Sequence, residues 1–171
     1  MKNLLKSLVA IFLFFIVADA SAQISVGGGL WFASDISSVG ISANGKYAID
    51  EDWSAAASFT YFLEKDYVKW SMLDFDANYN ITEIENIGSL YGIGGLAVTL
   101  WSVDFDGGTY DLGEYGSYDL DFDDSGSDIG LNLGLGLNIE ASEKFAIAPE
   151  VKYTISDGGF FRIGAKILFD L

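Results

Sequence analysis

Ile129-Gly130-Leu131-Asn132-Leu133-Gly134-Leu135-Gly136-Leu137-Asn138-Ile139 alternates without a break between a large aliphatic residue and Gly or Asn. A β-strand points successive side chains to opposite faces, so this stretch carries an unbroken aliphatic stripe on one face and small or polar groups on the other. A soluble sandwich would turn the stripe toward its core, whereas a membrane barrel would turn it toward lipid. The rest of the chain decides which.

The same alternation recurs in other segments. Over 70–81, Ser71, Leu73, Phe75, Ala77, Tyr79 and Ile81 share one face, and Asp74, Asp76, Asn78 and Asn80 share the other. Over 145–155, Phe145, Ile147, Pro149, Val151, Tyr153 and Ile155 oppose Ala146, Ala148, Glu150, Lys152 and Thr154. The last segment sets Phe161, Ile163, Ala165, Ile167 and Phe169 against Arg162, Gly164, Lys166 and Asp170. In 39–49 an apolar face faces away from Asn44 and Lys46, while 87–104 is apolar on both faces and does not discriminate.

Eight strand-like segments are predicted, at 23–34, 39–49, 53–64, 70–81, 87–104, 129–140, 145–155 and 160–171, and no amphipathic helix. Most are close to the length of a tilted membrane-spanning strand, about 9–11 residues. Turn chemistry separates them, as at Asp50-Glu51-Asp52 and Ser156-Asp157-Gly158-Gly159. Trp31, Tyr47, Trp53, Tyr61, Trp70, Tyr79, Trp101 and Tyr153 fall near strand ends, where interfacial girdles are expected.

The polar faces carry Lys46, Asp74, Asp76, Glu150, Lys152, Arg162 and Lys166, all away from strand ends. In a sandwich they would be solvated. In a closed eight-stranded barrel they face a lumen that side chains just fill, where an unpaired charge is costly and acids must meet bases. Three acids and four bases are near balance, and Glu150 and Lys166, at similar counts from the same ends of neighbouring strands, are expected to pair, directly or through Lys152 and Arg162. Inward Gly27, Gly29, Gly130, Gly134, Gly136 and Gly164 leave space for the longer partners.

Residues 1–22 read as a cleaved signal peptide. Lys2 and Lys6 precede the apolar run Leu8 to Val17, and Ala20-Ser21-Ala22 is a small-x-small cleavage site. The apolar run is shorter than the roughly 20 residues of a spanning helix. Residues 23–171 then form one barrel domain. Of 9 basic and 25 acidic residues, loss of Lys2, Lys6 and Asp19 leaves 7 and 24. So acidic a chain does not attract nucleic acid.

The chain has no His and no Cys. That excludes Ser-His and Cys-His nucleophiles, imidazole metal sites and disulfides. Asp74 and Asp76 share a face and are the remaining candidates for acid–base work, but interior ion pairing accounts for them, and no enzyme activity is expected. Between Asp104 and Asp128 lie nine acids and no base. Asp119, Asp121, Asp123 and Asp124 there are the candidate oxygen ligands of a weakly bound Ca²⁺ or Mg²⁺. The stretch lacks the Gly and the closing Glu of an EF-hand loop, and no other cofactor is expected.

Strand number, alternation, aromatic girdles and the terminal Phe169-Asp170-Leu171 together resemble the small eight-stranded outer-membrane barrels of the OmpA and OmpX type, over 23–171. Members of that class usually end in an aromatic residue; here the aromatic lies two residues before the final Leu. The resemblance implies an all-β, closed antiparallel transmembrane barrel with both termini periplasmic. Its turns would be 50–52, 82–86 and 141–144, and its external loops 35–38, 65–69, 105–128 and 156–159. The expected location is the bacterial outer membrane. The expected partners are membrane lipid and lipopolysaccharide, with a protein or glycan at the cell surface. The expected role is structural or in surface interaction, with a filled interior. The alternatives are a narrow pore for ions or small solutes, and a secreted soluble lipocalin-like binding barrel. Leu133 and Leu135 are expected to straddle mid-membrane, with Asn132→Ser nearly neutral.

Overall fold

The computed structural model describes residues 24–85, 87–111, 117–142 and 144–171, with the side chains of all but 105–122. The predicted leader lies outside the described residues. Eight antiparallel strands close into one barrel in sequence order. They are β1 (Ile24–Ala33), β2 (Ser38–Ala48), β3 (Trp53–Lys65), β4 (Val68–Ile84), β5 (Gly88–Asp111), β6 (Ser117–Ser142), β7 (Phe145–Ile155) and β8 (Phe160–Asp170). Closure comes from β1 pairing with β8, from Ser25 opposite Asp170 to Ala33 opposite Arg162. It removes the free sheet edges that a flat eight-stranded sheet would expose.

The two ends of the barrel differ. Ile24 and Leu171 meet at one end, where the Leu171 amide donates to the Ile24 carbonyl at 2.9 Å. The β2–β3, β4–β5 and β6–β7 connections lie at this terminal end. At the far end, β3 turns into β4 through Asp66 and Tyr67, with φ of 52° and 66°. Positive φ at both central residues gives the hairpin twist that two-residue connections need.

Of 105–128, expected as an external loop or as strands 5 and 6 extending above the membrane, the described residues 105–111 and 117–128 are strand. β5 and β6 remain paired out to Asp111 opposite Ser117. The last β4–β5 pair is Val68 with Val103, and β6 first meets β7 at Leu131 with Ile155. Beyond these points β5 and β6 form a two-stranded ribbon. From Asp104 to Asp111 it extends about 24 Å past its neighbours, at roughly 3.4 Å per residue. Phe105, Thr109, Tyr110, Tyr118 and Phe122 supply β-branched and aromatic residues between the acids, and that composition favours strand over loop.

The alternation resolves every strand into an outer and an inner face. Outside, the 129–139 stripe is solvent-facing, with Ile129 at 70% and Leu133 at 56% exposure, and Leu30, Ile41, Phe75, Leu96, Phe161 and Ile163 continue it around the barrel. Aromatic pairs lie on the same surface, Trp53 with Tyr79 and Tyr153 with Phe161, at centroid distances of 4.9 and 4.7 Å. The ambiguous strand β5 turns Leu90, Leu96 and Leu100 outward and buries Tyr91, Ile93, Ala97 and Thr99.

Trp31, Trp70 and Trp101 depart from the expected girdle. Trp31 and Trp70 are buried inside the barrel, and Trp101 packs against their cluster. Their strand parity explains it. Trp31 shares a face with Gly27 and Gly29, and Trp70 shares one with Asp74 and Asp76.

Candidate functional site: the charged barrel interior

The lumen is filled in layers. At the far end Trp31, Ala33, Phe62, Trp70, Met72, Ala97 and Phe160 form an apolar cluster inside the barrel. Trp70 meets Phe160 at 5.2 Å and Phe62 at 6.3 Å between ring centroids. Below it lies a charged layer drawn from β4, β7 and β8.

Asp74 is the hub acid. Arg162 Nη1 donates to its Oδ2 at 2.8 Å, and Nη2 donates to its Oδ1 at 2.9 Å. This is the planar two-point pairing that guanidinium and carboxylate geometries favour. Asn132 and Ser58 also donate to Asp74, at 2.9 and 3.1 Å. Lys152 donates to Asp76 and lies 3.6 Å from Glu150 and 3.9 Å from Asp74. Lys166 pairs with Glu150, which also accepts the Tyr91 hydroxyl at 2.6 Å. All six charged residues are at most 6% exposed. Three carboxylates and three cations therefore neutralise one another across the lumen, as their desolvation demands.

Lys46, the seventh candidate, stands apart. It is only partly buried, lines the cavity at the terminal end, and makes no ion pair within 4 Å among the described residues.

Uncharged residues complete the layer, and the sequence reading had given them other roles. Asn132, 1% exposed, donates to both Asp74 and Asp76 at 2.9 Å and accepts from Thr154 and Arg162 at 2.9 Å. It is therefore a four-bond junction, and the expectation that Asn132→Ser is nearly neutral does not survive. Its signal was present: it interrupts the glycines on the inward face of the opening stretch. Trp31 is the second. Its ring centroid lies 5.1 Å from Lys152 Nζ, 5.8 Å from Arg162 Cζ and 5.9 Å from Lys166 Nζ. One aromatic ring thus borders all three cations, a favourable quadrupole contact.

Inward glycines give these side chains their space. A Cβ on Gly95 would lie 2.3 Å from Asp76 Oδ1, and one on Gly164 would lie 2.6 Å from the Trp31 ring.

The candidate metal ligands lie on the ribbon. The side chains of Asp119 and Asp121 lie outside those described. Asp123 and Asp124 are exposed, and as neighbours on one strand they point to opposite faces. Asp124 Oδ1 accepts from the Ser125 amide at 2.9 Å. Among the described residues no group of three acids converges as a metal site would require.

Solved small outer-membrane barrels share this closed eight-stranded fold. The N-terminal β-barrel domain of Pseudomonas aeruginosa OprF matches with a TM-score of 0.61 at 18% identity, over 88% of this chain and 96% of that one. Neisserial surface protein A matches at 0.57 with 13% identity, over 86% and 96%. Ail, the attachment invasion locus protein of Yersinia pestis, matches at 0.51 with 21% identity, over 86% and 97%. No family model matches the chain, and no curated protein matches it.

Proposed function

We propose that this chain is a non-conducting, non-catalytic outer-membrane barrel that anchors its β5–β6 ribbon at the cell surface for contact with a partner. The observation that carries this is the neutralised layer of Asp74, Asp76, Glu150, Lys152, Arg162 and Lys166, capped by an apolar cluster. A lumen filled this way among the described residues favours a closed interior over a pore. The buried acids are all held by cations, so none is free to act as a general base. The apolar exterior supports membrane residence over the soluble lipocalin-like alternative, because a barrel in water would hold its aliphatic stripe inside.

In this reading the termini and short turns are periplasmic, an exported leader precedes the barrel, and the ribbon stands outside among lipopolysaccharide. The ribbon's acids set its partner chemistry. Ail has been solved with a heparin analogue, sucrose octasulfate. A segment of nine acids without a base repels such a polyanion. A basic protein surface is the complementary partner. Divalent cations would bind the ribbon only by screening, with affinity on the order of 10⁻⁴ to 10⁻³ M.

Fractionation of producing cells tests the location. The folded barrel is expected to sediment with outer membrane and to run differently on gels before and after boiling. Recovery in a soluble fraction refutes it. Planar bilayer recording tests the filled interior, with little or flickering conductance expected. A steady, large conductance would establish the pore alternative.

A further inference from the structure

The lumen is not the same at its two ends. The far half is packed by aromatic and apolar side chains, but the terminal half leaves a cavity of about 320 Å³ below the charged layer. That lies at the lower end of the volumes that hold small ligands, roughly 300–1,000 Å³. Its roof is set by Asp76, Tyr91, Glu150 and Lys166, and its mouth opens between the short turns.

Five carboxylates line that mouth: Asp50, Glu51 and Asp52 on the β2–β3 turn, Glu83 at the end of β4, and Glu140 on β6. Lys46 is the one base beside them among the described residues. A cleft lined by one sign of charge concentrates ions of the other sign. Two amides on the wall are independent of this ring. Asn44 and Asn78 are 8% and 6% exposed, and Oδ1 of each lacks a hydrogen-bond partner. A buried carbonyl without a donor is costly. Both side chains line the cavity, and the Asn44 amide is held from its other end, its Nδ2 donating to Ser42 at 2.9 Å.

We propose that this chamber is a binding site for small organic cations bearing primary ammonium groups. Each ammonium offers three donors and no acceptor, which matches free carbonyls behind an acidic mouth. Small anions are repelled at the entrance. A cage for a bare metal ion is missing, since no three acids converge among the described residues. The proposal needs the barrel lumen alone and holds whether or not the ribbon has a partner.

The test is calorimetric titration of the refolded full chain in micelles at low salt. Putrescine dihydrochloride is the probe, with 1,4-butanediol and disodium succinate as neutral and anionic molecules of the same backbone length. Saturable binding is expected for putrescine alone, and added salt should weaken it. Asn44→Leu with Asn78→Leu should weaken it about tenfold, because ligand donors then enter unpaired. Glu83→Gln with Glu140→Gln, at exposed positions that folding does not depend on, should weaken it several-fold while gel mobility stays that of the folded barrel. Asp123→Asn, on the ribbon, should change nothing. Absence of saturable putrescine binding overturns the proposal. So does equal binding of butanediol, equal displacement of putrescine by Mg²⁺ at matched concentration, or sensitivity to Asp123→Asn in place of the chamber variants.

Discussion

Asp74→Ala is the most informative single change in this barrel. It deletes an acid that is 1% exposed and accepts two bonds from Arg162, one from Asn132 and one from Ser58. Lys152 keeps Asp76 and Glu150, so the main casualty is Arg162, fully buried and left with Asn132 and Thr154 as its acceptors. Breaking a buried pair from one side costs about 3–5 kcal/mol, because the remaining charge stays desolvated without its counter-ion. At about 1.36 kcal/mol per power of ten, the folding equilibrium falls by roughly 2.2 to 3.7 decades. Urea unfolding of the refolded barrel measures this, with folded protein scored on unboiled gels and by tryptophan emission, since Trp31 borders the site. The partner change discriminates further. Asp74→Leu combined with Arg162→Met removes both charges and should cost less than Asp74→Ala alone, since an apolar pair of similar volume often replaces a buried ion pair without loss. Asp157→Ala, at an exposed turn, should stay within about 0.5 kcal/mol. A loss below about 1 kcal/mol for Asp74→Ala would refute the claim that this pair is desolvated and structurally required.

Other changes test the remaining layers. Asn132→Ser shortens the junction and cannot serve Asp74, Asp76 and Arg162 together; a loss of about 1–3 kcal/mol is expected in the same urea assay. Leu135→Arg places a cation on the lipid face, and refolding into bilayers should cost roughly 2–4 kcal/mol; unchanged stability would invert the face assignment. Gly136→Ala would put a Cβ 2.4 Å from the Tyr91 ring, forcing Tyr91 away from Glu150 at a cost of about 1–3 kcal/mol in chemical unfolding. Calcium titration of the ribbon should give only weak heat, reduced when Asp119, Asp121, Asp123 and Asp124 are all changed to Asn; tight binding would mean a preformed cage.

The two faces were legible because they rest on parity, a property one residue determines relative to the next; strand count was legible from the turn residues between segments, and closure only from the resemblance. Asp74, Asp76, Glu150, Lys152, Arg162 and Lys166 could be assigned to the polar face from the sequence without knowing what they touch. Of their partners, only the Glu150–Lys166 pairing was legible, from similar counts along neighbouring strands; it forms, although Glu150 stands opposite Gly164 and Lys166 opposite Ala148, so the contact is diagonal. Asp74 meets Arg162 across the lumen from β4 to β8, a relation fixed by barrel closure and strand stagger. The tryptophans show the opposite failure. Their nearness to strand ends suggested girdles, but parity already tied Trp31 to the inward glycines and Trp70 to the inward aspartates. The 105–128 segment was only half legible: acids depress strand propensity, so the loop reading came first and strand extension second, while pairing between β5 and β6 out to Asp111 and Ser117 favours the extension.

The order of the interior layers has a consequence for how such a barrel is held together. An eight-stranded lumen is too narrow for solvent to screen charges, so the ion pairs must be complete, yet completeness alone would not block water from the open end. The apolar cluster of Trp31, Phe62, Trp70, Met72 and Phe160 sits between the charges and the far end, where the ribbon departs. Trp31 belongs to both layers: its indole packs in the cluster, its ring borders Lys152, Arg162 and Lys166, and its Nε1 donates to Ser42 at 3.2 Å. Replacing Trp31 would therefore open the far-end seal and remove the aromatic neighbour of three cations in one step, whereas a substitution at Phe62 touches the seal alone. A barrel packed with apolar side chains at the ribbon end and open to a cavity at the terminal end leaves its charged layer approachable from the terminal end. That asymmetry supports the proposed anchor with a filled interior.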